Sequence, residues 1–555
     1  MLSHPLQAVA QVAPNAGSIL RDMQRSTPEL TKPAEPSQPF APAVEAPIIK
    51  AGQTVLVTDF HIKASLFPEA TLKEVVKDYL NRQDSLGDLE EAAAKISRFY
   101  RDNGYLARAY LPKQVIHDGL VEIVVLEGRL GGVSVDPGTS SRLSQDIAVG
   151  TVLNQQEIGA PIRPDGVSDA MANLNSLPGV AATATLVPGR AEGESDILLK
   201  VNDTPLVSGI AEVDNGNPRA IGRLRNIDTA TINDAVGVGD QEAVTALDSA
   251  TGKYGYVSAQ TPITYSGLTV GANASDMVFS TAKDINSTEP SGLAITEGLF
   301  AKHPLYRDEN AVLQAQLDYD HKVLINQVSR VTTSNGRVDM GGFGVNGSVR
   351  DHLLGTGGTT TGGVTGNFGR LDLSRDVTDL ATDQASARSQ GDFTKLTGNL
   401  TRTQPLMDKT SLAWMLSGQW AEKNLGSSEK FSLGGPSGVR AYPVNEATGD
   451  LGWLSSVEVR HNISDDVQVA PFFDIGGTEQ HAKTWAGWQG GGTQPNAYTL
   501  QGVGLWSAWT PTPELNVKAT AAQVLGENPG RTSGGYNNDG TRQRTLFWIQ
   551  ASAAF

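Results

Sequence analysis

The chain has 555 residues, 39% hydrophobic and 19% charged, with no cysteine and a formal net charge of −16. The lack of Cys excludes disulfide staples and thiolate metal sites. The acidic balance argues against duplex nucleic acid, whose binding rests on Lys and Arg neutralising phosphates. No stretch approaches about 18 consecutive apolar residues, so no helix is expected to span a bilayer. That leaves a soluble protein or a closed barrel, the forms that satisfy every backbone polar group. The 60 Gly residues, among many Thr, Ser, Asn and Asp, favour short strands and turns over long helices.

Residues 1–13 have no basic n-region and no firm apolar core, so either a signal peptide has been removed or the start is misassigned. In PNAGSILRDMQRST (14–27), Ile19, Leu20 and Met23 share one helical face. The segment is short and polar for a helix that must stand alone. Pro28, Pro33, Pro36, Pro39, Pro42 and Pro47 then keep the chain extended, which reads as a spacer over 28–52.

Residues 53–128 read as a small α/β module. VLVTDFHI (55–62) is one expected strand, and ATLKEVVKDYL (70–80) and LGDLEEAAAKISRFYRDNGY (86–105) are expected helices with apolar stripes. ARAYLPKQVI (107–116) and LVEIVVLEG (120–128) are strands around the His117-Asp118-Gly119 turn. The order is β-α-α-β-β. Residues 129–203 repeat it, with a strand at 130–136, helices at 143–152 and 165–179, and a hairpin of strands at 181–189 and 195–203. Tandem modules of this kind fit peptide handling through a strand edge or groove.

After about residue 205 helical patterns nearly vanish, and strands of about ten residues alternate with turns. The last is TLFWIQASAAF (545–555), with Phe547, Ile549 and Phe555 on one side and Leu546, Trp548 and Gln550 on the other. In VEVR, Val457 and Val459 oppose Glu458 and Arg460. About 350 residues at roughly 20–25 per strand and connection make about sixteen strands. The weaker alternation at 350–395 reads as long loops or strands of small side chains. Alternation alone also fits a soluble all-β protein, and an aromatic content of 6% is low for a barrel with aromatic girdles.

No catalytic or cofactor motif is present: no H-E-x-x-H, G-x-S-x-G or Walker loop. His61, His117, His303, His321 and His461 lack ligand-spaced neighbours. Gly502-Val503-Gly504 echoes a nucleotide loop, but it lies between strands and reads as a close-packed strand. The most unusual stretch is FSLGGPSGVRAYPVNEATGDLGW (431–453), where glycines and prolines interrupt the strand pattern around Arg440. It is either a surface loop with a solvated Arg or a loop folded into a lumen. In a lumen the Arg needs a carboxylate or carbonyl partner. Asp474 is the candidate, although its strand carries a Phe on both faces, Phe472 and Phe473.

Several of these pieces together resemble the outer-membrane transporters of two-partner secretion, within the superfamily of barrels that carry polypeptide-transport-associated (POTRA) domains. PNAGSILRDMQ resembles the family's N-terminal helix, and the Pro-rich run its linker. Residues 85–133 and 174–201 are similar to the two POTRA domains, and VDNGNPRAIGRLR (213–225) to the first barrel strands. LGGPSGVRAYPVNEATGD (433–450) resembles the sixth extracellular loop, which folds into the pore, and PFFDIG (471–476) the strand whose Asp pairs with it.

The resemblance implies a transmembrane β-barrel of sixteen antiparallel strands over 204–555, with an inward loop at about 433–452. Ahead of it stand two POTRA domains (53–128 and 129–203), a plug helix (14–27) built on Ile19, Leu20 and Met23, and a Pro-rich linker (28–52). Arg440 and Asp474 answer to the loop pair. Gly434, Gly435, Val439 and Tyr442 belong to the same loop motif, and Phe555 is a terminal assembly signal. The superfamily pattern has Gly after the Arg. Ala441 stands there instead, a mild change if the position has negative φ. The implied function is passage of an unfolded secreted partner, of adhesin or cytolysin type, whose N-terminal secretion domain binds the POTRA domains. No ATP or other cofactor is implied. Outer-membrane lipid and the barrel-assembly machinery are the further partners, in a Gram-negative outer membrane with the POTRA domains in the periplasm. A barrel-insertion factor of the same superfamily is the alternative.

Overall fold

The computed structural model describes residues 14–26, 54–191, 193–281, 285–286, 288–308, 310–490 and 492–555. The expected linker at 28–52 lies outside the described residues. Helix α1 (Ala16–Ser26) is the first described element, and Ile19, Leu20 and Met23 are buried on one face of it.

The first α/β repeat comprises β1 (Thr54–Val57), β2 (Asp59–Lys63), α2 (Glu69–Val75), β3 (Arg82–Ser85), α3 (Leu86–Asp102), β4 (Ala107–Tyr110) and β5 (Leu120–Glu127). Strand β2 runs parallel to the central β5, and β4 lies antiparallel on its other edge. The strand expected at 55–62 is in fact two. Thr58 breaks it, with its amide and hydroxyl donating to the Gly119 and Asp118 carbonyls of the turn before β5. The freed β1 pairs with β3, a strand that the sequence pattern does not reveal. The expected helix at 70–80 ends at Val75 and continues as a 3-10 turn, Lys77–Tyr79. The expected strand at 107–116 stops at Tyr110, just before Pro112, whose missing N–H cannot extend a ladder.

The second repeat follows the predicted order: β6 (Arg129–Val135), α4 (Gln145–Gln155), α5 (Pro164–Ser176), β7 (Val180–Pro188) and β8 (Glu194–Asp203). Its sheet copies the first, with β6 parallel to the central β8 and β7 antiparallel. Each repeat has its own apolar core.

The next strands are β9 (Val207–Asp214), β10 (Arg225–Asn233), β11 (Gln241–Ser249), β12 (Gly252–Pro262) and β13 (Thr269–Ser280). They lead to β14 (Ser291–Arg307), β15 (Ala311–Val328), β16 (Val331–Asp351), β17 (Gly358–Asp372), β18 (Gly391–Met407) and β19 (Thr410–Ala421). A two-stranded hairpin, β20 (Phe431–Ser432) with β21 (Thr448–Gly449), interrupts the series. It resumes with β22 (Leu451–Asn462), β23 (Val467–Glu479), β24 (Ala497–Thr512), β25 (Leu515–Leu525) and β26 (Thr545–Ala554). Apart from β20 and β21, these sixteen strands close into one antiparallel barrel, β26 pairing with β9. That seam is short, from Gln550↔Asp214 to Ala554↔Ile210. Phe555 extends it, its N–H donating to the Gly209 carbonyl and its carbonyl accepting from the Gly209 N–H, both at 3.0 Å.

The alternation seen in the sequence becomes two surfaces. On β26, Phe547 and Ile549 stand outward and exposed, while Leu546 and Trp548 are buried inward. Leu299, Leu317, Phe343 and Phe368 continue the exposed apolar belt on other strands. The few aromatic residues are well placed for lipid interfaces: exposed Trp420 and Trp453 lie toward one rim and Trp509 toward the other. Among the described residues, one α-helix breaks the all-β region. Helix α6 (Val377–Ala385) lies in the stretch read as loops or small-residue strands, and the Asp376 carboxylate caps it by accepting from the Thr378 and Asp379 amides.

Candidate functional site in the barrel lumen

The chain between β19 and β22 turns back into the barrel instead of standing over the rim. Its tip is a tight turn. Gly434 and Gly435 have φ of 78° and 86°, the left-handed region that suits glycine. The Gly435 amide donates to the Tyr442 carbonyl at 2.9 Å, and the Tyr442 amide to the Val439 carbonyl at 3.1 Å. Val439, Ala441 and Tyr442 are buried with Leu433, Ala470, Phe472, Leu500 and Trp506 in one apolar cluster. A solvated surface loop is therefore not what forms.

This turn presents Arg440 to the wall. Its Nε and Nη2 donate to the two oxygens of Asp474 on β23, at 2.9 and 2.7 Å, and its backbone N–H donates to the same carboxylate at 3.1 Å. Nη1 donates to Glu458 on β22 at 2.6 Å, and Nη2 also to the Ser456 hydroxyl at 2.9 Å. The guanidinium carbon stands 3.5 Å from the centroid of the Phe472 ring. The Arg440 carbonyl accepts from Trp548 Nε1 on β26 at 2.8 Å. Arg440 is 7% exposed and Asp474 fully buried. Paired, bidentate and stacked, the charge is satisfied. Removing one member of such a buried pair costs about 3–5 kcal/mol.

The Arg440 and Asp474 side chains that the sequence pairs thus meet directly. The two-faced strand resolves as well: Phe472 is buried inward beside Asp474, while Phe473 is 36% exposed outward. Glu458, Ser456 and Trp548 also belong to the cluster, and sequence reasoning did not assign them to it. The one signal for Glu458 was its place opposite Val457 and Val459. Ala441 is absent from the positive-φ residues, so its methyl is unstrained. That methyl faces Gly502 on β24, where an added Cβ would stand 2.6 Å from the Ala441 Cβ. Gly502-Val503-Gly504 is therefore a close-packed strand.

Helix α1 lies against the same loop. Its apolar face meets the wall through Met277, Phe279, Ala294 and Leu324. Its polar face reads the loop. Arg21 donates to the Ser427 and Lys430 carbonyls at 3.0 and 3.3 Å and to the Asn445 side-chain oxygen at 2.8 Å. Arg25 donates to the Ser432 and Ser437 carbonyls, and the Asn445 amide donates to Asp22. Two wall residues also hold the ends: the Ala16 amide donates to Asn326 Oδ1 at 2.7 Å, and Arg225 to Ser26 Oγ at 2.7 Å. A second buried ionic group sits at the root of the loop, where Glu429 takes Lys322 of β15 at 2.8 Å and Lys395 of β18 at 2.6 Å.

Comparison with known proteins gives the family of the whole chain. The family described as "Haemolysin secretion/activation protein ShlB/FhaC/HecB" matches residues 193–494, and "POTRA domain, ShlB-type" matches 57–128. The chain is 27% identical over 580 residues to the heme/hemopexin transporter protein HuxB of Haemophilus influenzae, covering 100% of this chain and 97% of the relative. It is 24% identical over 429 residues to the outer membrane transporter CdiB of Dickeya dadantii, covering 74% of this chain and 73% of that one. Among solved structures, CdiB from Escherichia coli shares the fold at a TM-score of 0.69 and 18% identity, over 94% of each chain. BamA from Haemophilus ducreyi shares it at 0.53 and 13%, over 90% of this chain and 100% of that one. The first family match spans more than half of the sequence, and the chain belongs to the haemolysin secretion/activation family of outer-membrane transporters, which pass an unfolded partner protein through a barrel with periplasmic POTRA domains.

Proposed function

We propose that the inward loop and helix α1 form the gate of this transporter, and that the division of labour follows the chain. Residues 53–128 and 129–203 act as POTRA domains that receive the N-terminal secretion domain of an adhesin- or cytolysin-type partner. Residues 204–555 form the pore. Residues 14–27 act as its plug and 28–52 as the tether that lets the plug leave. Arg440, with Asp474, holds the inward loop against β22 and β23, and Gly434, Gly435, Val439 and Tyr442 give that loop its shape. Phe555, at the exposed end of the seam, serves as the signal read by the barrel-assembly machinery when this barrel is itself inserted.

The observation that carries the reading is the burial of Ile19, Leu20 and Met23 inside a closed sheet, with the polar face of their helix bonded to the inward loop. An extended polypeptide cannot share that volume, so the helix must move for transport to occur. With no nucleotide site in the sequence, the drive must come from elsewhere, such as folding of the partner outside.

The test is Arg440→Ala in a strain that makes the partner. Secretion is expected to fall at least tenfold while the barrel still inserts, judged by heat-modifiable gel mobility. Normal export by this variant would sink the proposed role. Crosslinks from a stalled partner are expected along the lumen. Crosslinks confined to the β9–β26 seam would favour barrel insertion instead.

A further inference from the structure

The loop is held at two places. Its tip is fixed by Arg440. Its root, between β19 and β20, is fixed by Glu429, which is 2% exposed at the end of the 3-10 turn Ser427–Glu429. Lys322 and Lys395 reach one carboxylate oxygen each from β15 and β18, so the carboxylate ties two strands that are not neighbours. The Ser428 hydroxyl adds a third hydrogen bond at 2.9 Å. Gln419 Nε2 donates to the Glu429 carbonyl at 2.9 Å, so the backbone is fixed as well as the side chain.

Helix α1 rests on this short segment. Arg21 binds the carbonyls of Ser427 and Lys430, two and one residues to either side of Glu429. Gly17 lets the two backbones meet: a Cβ there would lie 2.6 Å from the Ser428 amide nitrogen. Both contacts require the 427–430 backbone to stay where it is. Without the Glu429 charge, the two lysine ammonium groups would lose the carboxylate that both of them bind, leaving Asp320 as the acid near them.

We infer that Glu429, clamped by Lys322 and Lys395, is a positioning residue that forms the seat of the N-terminal helix, separate from the Arg440 latch. The inference rests on α1 being the plug. It predicts that neutralising Glu429 frees the helix while the loop tip stays docked.

The chain has no native cysteine, so single thiols report cleanly. Met23→Cys and Leu20→Cys place reporters on the buried face of the helix, and Val439→Cys reports on the loop tip. Each is made alone and with Glu429→Gln, and labelling by a membrane-impermeant maleimide is followed in outer-membrane vesicles and in detergent. Slow labelling is expected at all three sites in the single variants. With Glu429→Gln, labelling on the helix is expected to rise at least tenfold while the Val439→Cys thiol stays protected. Unchanged labelling on the helix would overturn the seat and leave the plug reading standing. A parallel rise at the tip would also overturn it, since the effect would be general loosening. Fast labelling at both helix sites without Glu429→Gln would overturn the plug reading itself. If Glu429→Gln does not insert, Lys322→Gln, which keeps the Lys395 pair, is expected to give a smaller rise in the same direction, and no rise would overturn the seat.

Discussion

The two α/β repeats share one sheet topology and differ in what holds them. The first contains its own polar hub. Glu127 accepts from the Tyr100 hydroxyl at 2.7 Å and from the Ser65 and Leu66 amides at 2.9 and 2.6 Å. Phe67 packs edge-on against Phe99, Tyr100 and Tyr105, and Ser85 with Asp88 forms a capping box on α3. The second has no side-chain cap on α4 or α5. It leans on the barrel instead. Arg142 donates to the carbonyls of Asp234, Thr204 and Asn233, and the Ser144 amide donates to the Gly237 carbonyl at 2.9 Å. Gly150 comes so close to Tyr265 that a Cβ would stand 2.6 Å from its ring. One repeat is thus stabilised from within, and the other is stabilised as part of the pore's rim. Under the proposed function, a self-sufficient first repeat is free to meet the partner without loosening the barrel, and the second sets the direction in which the pair points.

That contrast is breakable. The largest effect is expected from Arg142→Ala, which removes a charged donor from three carbonyls, about 2–3 kcal/mol of local docking. Hydrogen exchange in α4 and in the 234–240 turn should quicken by ten-fold or more, with β5 and α3 unchanged. Equal loss of protection in both repeats would show that they are held in the same way. Glu127→Gln should do the opposite, destabilising the first repeat by about 1–3 kcal/mol while the second keeps its protection.

The same hub sets a pH dependence. Burial raises the Glu127 carboxyl, but the hydrogen bonds from Ser65, Tyr100 and Leu66 outweigh it and hold the group below its ordinary value. A depressed folded-state value gives stability that is present above about pH 4.3 and is lost as pH falls through the folded value. Proteolysis of the first repeat should therefore rise in that acid range, and Glu127→Gln should flatten the response. The smallest effect is Ser85→Ala, about 1 kcal/mol, seen as faster exchange in the first turn of α3. No change there would mean that Asp88 alone carries the cap.

Much of this was legible in the sequence where the signal is local. The alternation in 545–555 separated Phe547 and Ile549 from Leu546 and Trp548, though not which pair faces outward, and the 3.6-residue stripe gave Ile19, Leu20 and Met23. Glycines and prolines around Arg440 marked a chain that could not be an ordinary strand. What was missed depends on register between distant strands. Lys322 and Lys395 lie 107 and 34 residues from Glu429, and no spacing rule links them. Strand β3 was hidden because RQDS has no apolar alternation, and its pairing with β1 comes from the Thr58 break. Helix α6 escaped because a weakly apolar segment needs its Asp376 cap to be recognised.

The contact between Ala441 and Gly502 makes two distant positions share one volume. A methyl on the loop is matched by a hydrogen on the strand, and the pair tolerates one side chain between them. Neither residue is then free to drift alone. Glycine in place of Ala441 would open a gap that an alanine at position 502 could fill, whereas alanine at both positions would force the loop away from the wall. The two positions, 61 residues apart in the chain, thus behave as a single packing site.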